Sequence, residues 1–378
     1  MIPAEIEGRI LSRETNEPIA YSDIYNKTLQ RGTISNVDGY FKIVTQNEGD
    51  SIYITSIGYK KERIILRDGI AFYTIYLQQS VQVLSEVIVV PGNDSYLFDL
   101  LDHCIKNSST ARKEAKAYFE TKSFTGDQQV ELVEGYYNAD IWGYDLAALD
   151  LKAGRLALQP HNNRFFVSLE SSKAVMMPKL PGKNSYFPDS PLDLSKPQMK
   201  KSYYLALDGK YLDNEVDSIY IIDYRPKHAT GLLFEGKIWI DKTKYHIIKI
   251  DMNCNRTRRH PFLPLFSSDS ITNVNFAITK SFKELNGEML FNHIDFTYTI
   301  DYKSRIAQAY QLAYSIRTNV VLHVYDFDHT FFIPKFEYSA SSSGDYRKIN
   351  AMPYNAFFWN YNDEYGKHSS NGNQEYYL

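Results

Sequence analysis

Apolar residues recur at every second position over long stretches of this chain, the period at which successive side chains point to opposite faces of a β-strand. In the run 288–300, Leu290, Ile294, Phe296, Tyr298 and Ile300 share one phase with Asn292, while His293, Asp295, Thr297 and Thr299 occupy the other. A strand of this kind is expected to bury one face and wet the other. Val274, Phe276 and Ile278 repeat the phase, as do Ile248, Ile250 and Met252, with Lys249 and Asp251 opposite. Strands are therefore predicted at 218–224, 233–240, 245–253, 271–280, 288–300 and 310–324. Behind Ser95 the period changes: Leu97, Phe98, Leu101, Cys104 and Ile105 stripe one face of a helix that starts from an N-cap residue. The expectation for 92–338 is a curved, half-barrel-like antiparallel sheet of at least six strands, with a helix near 95–107 packed on its apolar side.

Before that region the runs are shorter. Stretches at 6–11, 19–26, 40–44, 51–56, 63–66 and 72–77 alternate with turn formers such as Asn16-Glu17-Pro18 and Asp38-Gly39, the spacing of an antiparallel β-sandwich. Pro91-Gly92 marks a boundary. The predicted organisation is a sandwich over 1–91, the larger sheet over 92–338 and an aromatic-rich tail over 339–378 that docks on the sheet. Composition agrees, because 31 Tyr and 21 Phe in 378 residues suit half-buried pleated surfaces better than helices. The chain is mainly β by this reading.

Charge excludes one class of function. Lys and Arg number 42 against 45 Asp and Glu, a net −3, so no nucleic-acid footprint is expected. No stretch reaches the ~18 consecutive apolar residues of a membrane-spanning helix. Met1 is followed at once by strand-like sequence, so the chain is either cytosolic or one whose leader Met1 replaces. Two cysteines, Cys104 and Cys254, are too few for a disulfide scaffold or a cysteine-based zinc site, and Cys104 is expected to be a buried thiol.

Four ordered blocks carry a family resemblance: Ile6-Glu7-Gly8-Arg9-Ile10, Asn16 to Ile24, Gly32 to Phe41 and Ser51 to Tyr59. They resemble the carboxypeptidase-regulatory-like domain, a transthyretin-like sandwich common at the N-terminus of exported outer-membrane proteins, including TonB-dependent nutrient receptors. The resemblance implies a core-forming module with no peptidase chemistry. The segment Leu84 to Gly92 is similar to the piece that joins this module to a receptor plug, but the ~290 residues that remain are too few for a complete receptor barrel. Ser218 to Lys227 and Gly236 to Ile250 resemble the middle of uncharacterised outer-membrane proteins, in which a regulatory-like module precedes a curved sheet akin to the lipoprotein-carrier half-barrel. Together these imply a periplasmic or outer-membrane-associated protein, its signal peptide absent from this sequence.

Candidate chemistry is sparse. No Gly-x-Ser-x-Gly elbow, His-Glu-x-x-His helix, Walker loop or Rossmann glycine pattern occurs, so no catalytic residue, cofactor or metal is expected. In the run His323 to His329, a strand would set the two histidines roughly 20 Å apart at about 3.3 Å per residue, too far to share an ion. A loop could instead gather Asp326, Asp328 and His329, which leaves a metal-assisted hydrolase as an alternative. His246 and His293 read as structural.

The leading expectation is a non-enzymatic binding protein with an interaction or spacer sandwich and a sheet that binds a partner or a hydrophobic ligand, linked to outer-membrane nutrient uptake or assembly. A lipid or acyl-chain carrier is the alternative. Ile248, Ile250, Val274, Phe276, Ile278, Phe296 and Tyr298 are the candidate ligand-lining residues, against the plainer reading of core beneath the helix. Arg256, Arg258, Arg259, Phe262, Leu263 and Phe266 form a proline-punctuated loop that is either a flap over the sheet end or a docking surface for a partner or a membrane face. Phe357 and Trp359 in the tail are the further docking candidates.

Overall fold

A computed structural model describes residues 4–36, 38–45, 49–67, 69–80, 95–159, 171–182, 186–213, 217–264, 267–307, 310–333 and 344–361. The fold is 56% strand and 12% helix. The first seven strands are β1 (Ala4–Ser12), β2 (Asp23–Asn26), β3 (Arg31–Ile34), β4 (Tyr40–Thr45), β5 (Ser51–Thr55), β6 (Glu62–Ile65) and β7 (Phe72–Leu77). They form two small sheets, ordered β4-β1-β7 and β3-β2-β5-β6. Ile6, Ile10, Phe41, Ile43 and Ile75 from the first meet Ile24, Ile52 and Ile54 from the second in a shared core, as the alternation requires. Gly39, at φ +79, sits where a Cβ would strike the Ile10 carbonyl, so the Asp38-Gly39 turn needs its glycine.

The sandwich departs from the expected all-antiparallel pairing. β7 runs parallel to β1, because the chain crosses to the other sheet for β5 and β6 before returning beside β1. The four-residue β3 falls between the expected runs at 19–26 and 40–44, because Arg31-Gly32-Thr33-Ile34 is too short to show a period.

After α1 (Ser95–Lys106) come β8 (Arg112–Thr125), β9 (Gln128–Trp142), β10 (Asp145–Leu158), α2 (Ser171–Met176), a 3-10 turn at Pro191–Asp193 and α3 (Lys196–Ser202). Seven further strands follow: β11 (Tyr203–Asp213), β12 (Asp217–Pro226), β13 (Glu235–Asp241), β14 (His246–Cys254), β15 (Ser270–Leu285), β16 (Glu288–Ala307) and β17 (Tyr310–Tyr325). Short helices α4 (Asp345–Ala351) and α5 (Ala356–Tyr361) end the described chain. All ten strands β8–β17 form one curved, unclosed antiparallel sheet, ordered β10-β9-β8-β17-β16-β15-β14-β13-β12-β11. From β11 to β17 neighbours in sequence are neighbours in space, and β17 then pairs with β8.

One face of this sheet is apolar and covered by segments that are not strands. α1 buries Leu97, Phe98, Leu100, Leu101 and Cys104 there, and burial pushes the Cys104 thiol up to about 12. Val175, Leu180, Phe187, Leu192 and Met199, from 171–202, join the same core. A register shift between β13 and β14 pairs Ile240 with Ile247, which brings Ile247 into the core and leaves Ile248 half-buried outside it. The opposite face is not simply wet, contrary to the expectation for 288–300. His293 on β16 is 5% exposed and His323 on β17 is 2% exposed, because the sandwich packs over them.

Candidate functional site

The apolar face presents Ile250, Val274, Phe276, Ile278, Phe296 and Tyr298, all buried. Two aromatic rings from outside the strands rest on this group. Phe187 lies 5.1 Å from Phe276 and 5.7 Å from Phe296, centroid to centroid. Phe262 lies 4.8 Å from Tyr298 and 6.1 Å from Phe276. Both are within the range of favourable aromatic pairing.

Polar contacts fix the segment that carries Phe187. Arg259 donates through Nη1 to the Phe187 carbonyl at 3.1 Å and to Asp189 Oδ1 at 3.0 Å. The Asp189 carbonyl accepts from Tyr203 Oη at 2.5 Å and from the Phe234 amide at 2.9 Å. Asp193 accepts from the Ser190 amide and hydroxyl and from the Gly182 amide, at 2.7, 2.8 and 3.2 Å. Burial outweighs these bonds and pushes its carboxyl up to about 7.

The main anchor is Lys280 on β15, which sequence reasoning missed. Its Nζ donates to Asp145 Oδ1 at 2.8 Å, the Pro178 carbonyl at 2.7 Å and the Tyr144 carbonyl at 3.4 Å. It ties β15, the start of β10 and the covering segment together within an apolar surround. Its signal was legible: Phe276, Ile278, Lys280 and Phe282 share one phase, so a lysine stands where the pattern demands an apolar residue.

The proline-punctuated loop divides its contents. Phe262 is half-buried on the core and Arg259 is spent on Asp189, while Arg256 and Arg258 are exposed and Leu263 is 85% exposed. Phe266 lies outside the described residues. In the tail, Phe357 is exposed and Trp359 buried. Trp359 packs at 5.4 Å from Tyr136, with the Arg155 guanidinium 4.3 Å from its ring centre.

On the polar face the sandwich is docked by charge and by rings. Asp326, just past β17, has Oδ2 at 2.7 Å from Arg31 and 2.8 Å from Lys116, and Oδ1 at 3.2 Å from His329 Nδ1. Asp328 pairs with Lys113 at 2.7 Å. A loop therefore does bring Asp326 to His329, but Asp328 turns elsewhere and both carboxylates are taken by cations. Among the described residues no group of three or more His, Cys, Asp or Glu could hold a metal ion. Lys283 of β15 reaches Asp23 of β2 at 3.0 Å.

Between these pairs, the rings of His293 and His323 stack at 4.1 Å and 11°, with their Nδ1 atoms 2.8 Å apart. Tyr21 of the sandwich lies against both, at 4.5 and 4.3 Å. Burial holds His293 down at about 3, and holds His323 well below the usual imidazole range. Beside them, burial and then the Asp251 charge push Asp295 up to about 6.

Residues 6–89 match the family described as CarboxypepD_reg-like domain. No curated protein matches the chain. Among solved structures, the MucA/MucB complex of Pseudomonas aeruginosa is similar at 9% identity and TM-score 0.21, covering 61% of this chain and 94% of that chain. An outer membrane lipoprotein-sorting protein domain from Vibrio parahaemolyticus is similar at 11% identity and TM-score 0.25, covering 63% and 94%. A membrane-associated protein of unknown function from Bacteroides fragilis is similar at 9% identity and TM-score 0.18, covering 86% and 98%.

Proposed function

We propose that this chain is a non-enzymatic binding protein of the cell envelope, in which the apolar face of the ten-stranded sheet receives a hydrophobic chain and the N-terminal sandwich braces the opposite face. One observation carries the reading. The rings seated on Phe276, Phe296 and Tyr298 are Phe187 and Phe262, which belong to crossing segments and not to strands. Apolar side chains held in this way can give up their seats to a ligand without breaking a strand pair, and seats so shaped suit an acyl chain or an apolar side chain of a partner. The regulatory-like module over 6–89 supports an envelope setting and a role beside outer-membrane uptake or assembly. The ion pairs of Asp326 and Asp328 weigh against the hydrolase alternative, since neither carboxylate is left to activate water.

The test is binding of a fluorescent naphthylamine dye, together with mass spectrometry of lipids extracted from gently purified protein. The Phe187→Ala variant is expected to bind the dye several-fold more tightly than wild type, because it vacates a seat about the size of a benzyl group. If wild type yields no extracted lipid and neither protein binds the dye, the reading fails.

A further inference from the structure

The docked junction between sandwich and sheet has a chemistry of its own, independent of what the apolar face binds. His293 and His323 are direct cross-strand partners in the register of β16 and β17, and a single Nδ1–H can join them at 2.8 Å. His323 Nε2 is buried without a hydrogen-bond partner among the described residues. With His323 as the Nδ1–H donor its Nε2 is bare in the neutral ring, and an imidazolium there would gain an N–H with nothing among the described residues to receive it, under the ring of Tyr21. We propose that the sandwich is clamped to the sheet through the uncharged form of this histidine pair, and that acid releases the clamp.

Burial sets the sign, with the Lys249 charge lowering His293 further, among the charged groups of the junction. From the sandwich come Tyr21, Asp23, Arg31 and Asp38. Asp295 stands on β16, and Lys116, Tyr118, Glu120 and Lys122 on β8. Asp326 follows β17, Lys283 is on β15, and Lys249 and Asp251 are on β14. Once the sandwich lifts, the pair takes up a first proton at ~6.5 and a second only at lower pH, because the two rings stay on paired strands and the first charge repels the second. Docked, the pair resists protonation, because burial lowers both rings. Their contribution to docking is therefore complete above about 6.5 and falls as the pH drops below it.

Asp295 works the other way. Docked, it is raised to about 6, so it holds a proton that the open state gives up. Burial also raises Glu120, which opposes release toward the acid end. The pair against Asp295 leaves less than one net proton taken up on opening between pH ~6.5 and ~5, which is a few-fold in the docking equilibrium per pH unit.

Ile34 reports the opening, because it is buried against Tyr118 and Tyr136 in the interface. In the full chain, Ile34→Cys is labelled with dithiodipyridine from pH 7.5 to 5.0 and read at that position by peptide mass spectrometry, with the exposed Ile65→Cys correcting for intrinsic reactivity. The opening constant at position 34 is expected to rise a few-fold per unit between pH 6.5 and 5.5. A His293→Gln/His323→Gln variant should flatten that slope, and Asp295→Asn should steepen it. A flat wild-type profile, or a double variant with the wild-type slope, overturns the proposal. Should the double variant stand open at every pH, Asp295→Asn decides alone: a steeper slope upholds the clamp and an unchanged one refutes it.

Discussion

Replacing Lys280 by methionine tests whether the cover over the apolar face is tied down by one buried charge pair. The Lys280 side chain is 1% exposed and its partner Asp145 is 21% exposed. Removing one member of a buried ion pair costs about 3–5 kcal/mol, because the other charge is left without a counterion. Asp145 retains the Leu180 amide, 3.2 Å from both its oxygens, and some hydration. Lys280→Met should therefore fall at the lower end, about 3 kcal/mol. Asp145→Leu, which strands the deeper partner, should cost at least as much. The Lys280→Met/Asp145→Leu double variant removes both charges, and its loss should shrink to about 1 kcal/mol, since apolar replacements of a whole buried pair are often neutral. The coupling in this cycle is then about 5 kcal/mol or more. Urea unfolding followed by the fluorescence of Trp142, Trp239 and Trp359 measures each corner. A single-variant loss below about 1 kcal/mol, or a double variant whose loss equals the sum of the singles, would refute the argument.

Three other perturbations follow from single sites. Gly143→Ala should destabilise by about 1–3 kcal/mol, since Gly143 is at φ +54 and a Cβ would strike the Ser109 carbonyl; an unchanged urea midpoint would contradict it. Trp359→Ala should cost about 3 kcal/mol of local stability by emptying its site against Tyr136 and Arg155, read as loss of amide protection confined to α5 and its contacts. Asp193, raised to about 7 by burial, holds a proton in the fold that the unfolded chain releases. The stability of wild type relative to Asp193→Asn should accordingly fall by up to about 1.4 kcal/mol per pH unit as the pH rises from about 4 to about 7, and level off above it. Parallel curves would show that this carboxyl is not raised.

Strands β12–β17 were legible because their two phases differ sharply in chemistry, as in Ile294, Phe296 and Tyr298 against His293, Asp295 and Thr297. β8 was harder to read. Around Phe119 its core phase uses Ala115, Ala117, Thr121 and Ser123, so one large apolar residue alone marks the buried side. Other features depend on partners distant in sequence. The burial of His293 is imposed by Tyr21, which lies 272 positions earlier in the chain. Phe187 sits in a connection with no period, and only its contact with Phe276 and Phe296 shows its role. Of the lining residues, Ile250, Val274, Phe276, Ile278, Phe296 and Tyr298 follow the alternation. Ile248 does not, because a bulge resets the phase between Ile247 and Lys249.

The seat of the sandwich depends on the last long-range pairing of the sheet. Tyr136 on β9 lies opposite Tyr118 on β8, Tyr118 opposite His323 on β17, and His323 opposite His293 on β16. These four rings form one stripe across four adjacent strands. Its continuity rests on the β8–β17 pairing, which joins residues as far apart in sequence as Lys116 and Tyr325. Until those strands meet, Tyr118 and Tyr136 stand on one hairpin and the two histidines on another, and neither offers the surface that Tyr21 and Ile34 cover. Residues 4–77 hold a core of their own, so the sandwich can form early, but it can dock only after the sheet joins β8 to β17. Non-local pairing of this kind is slow to form. Sandwich docking therefore reports that β8 has joined β17, and release of the clamp by acid would uncover the polar face without requiring any strand pair to break.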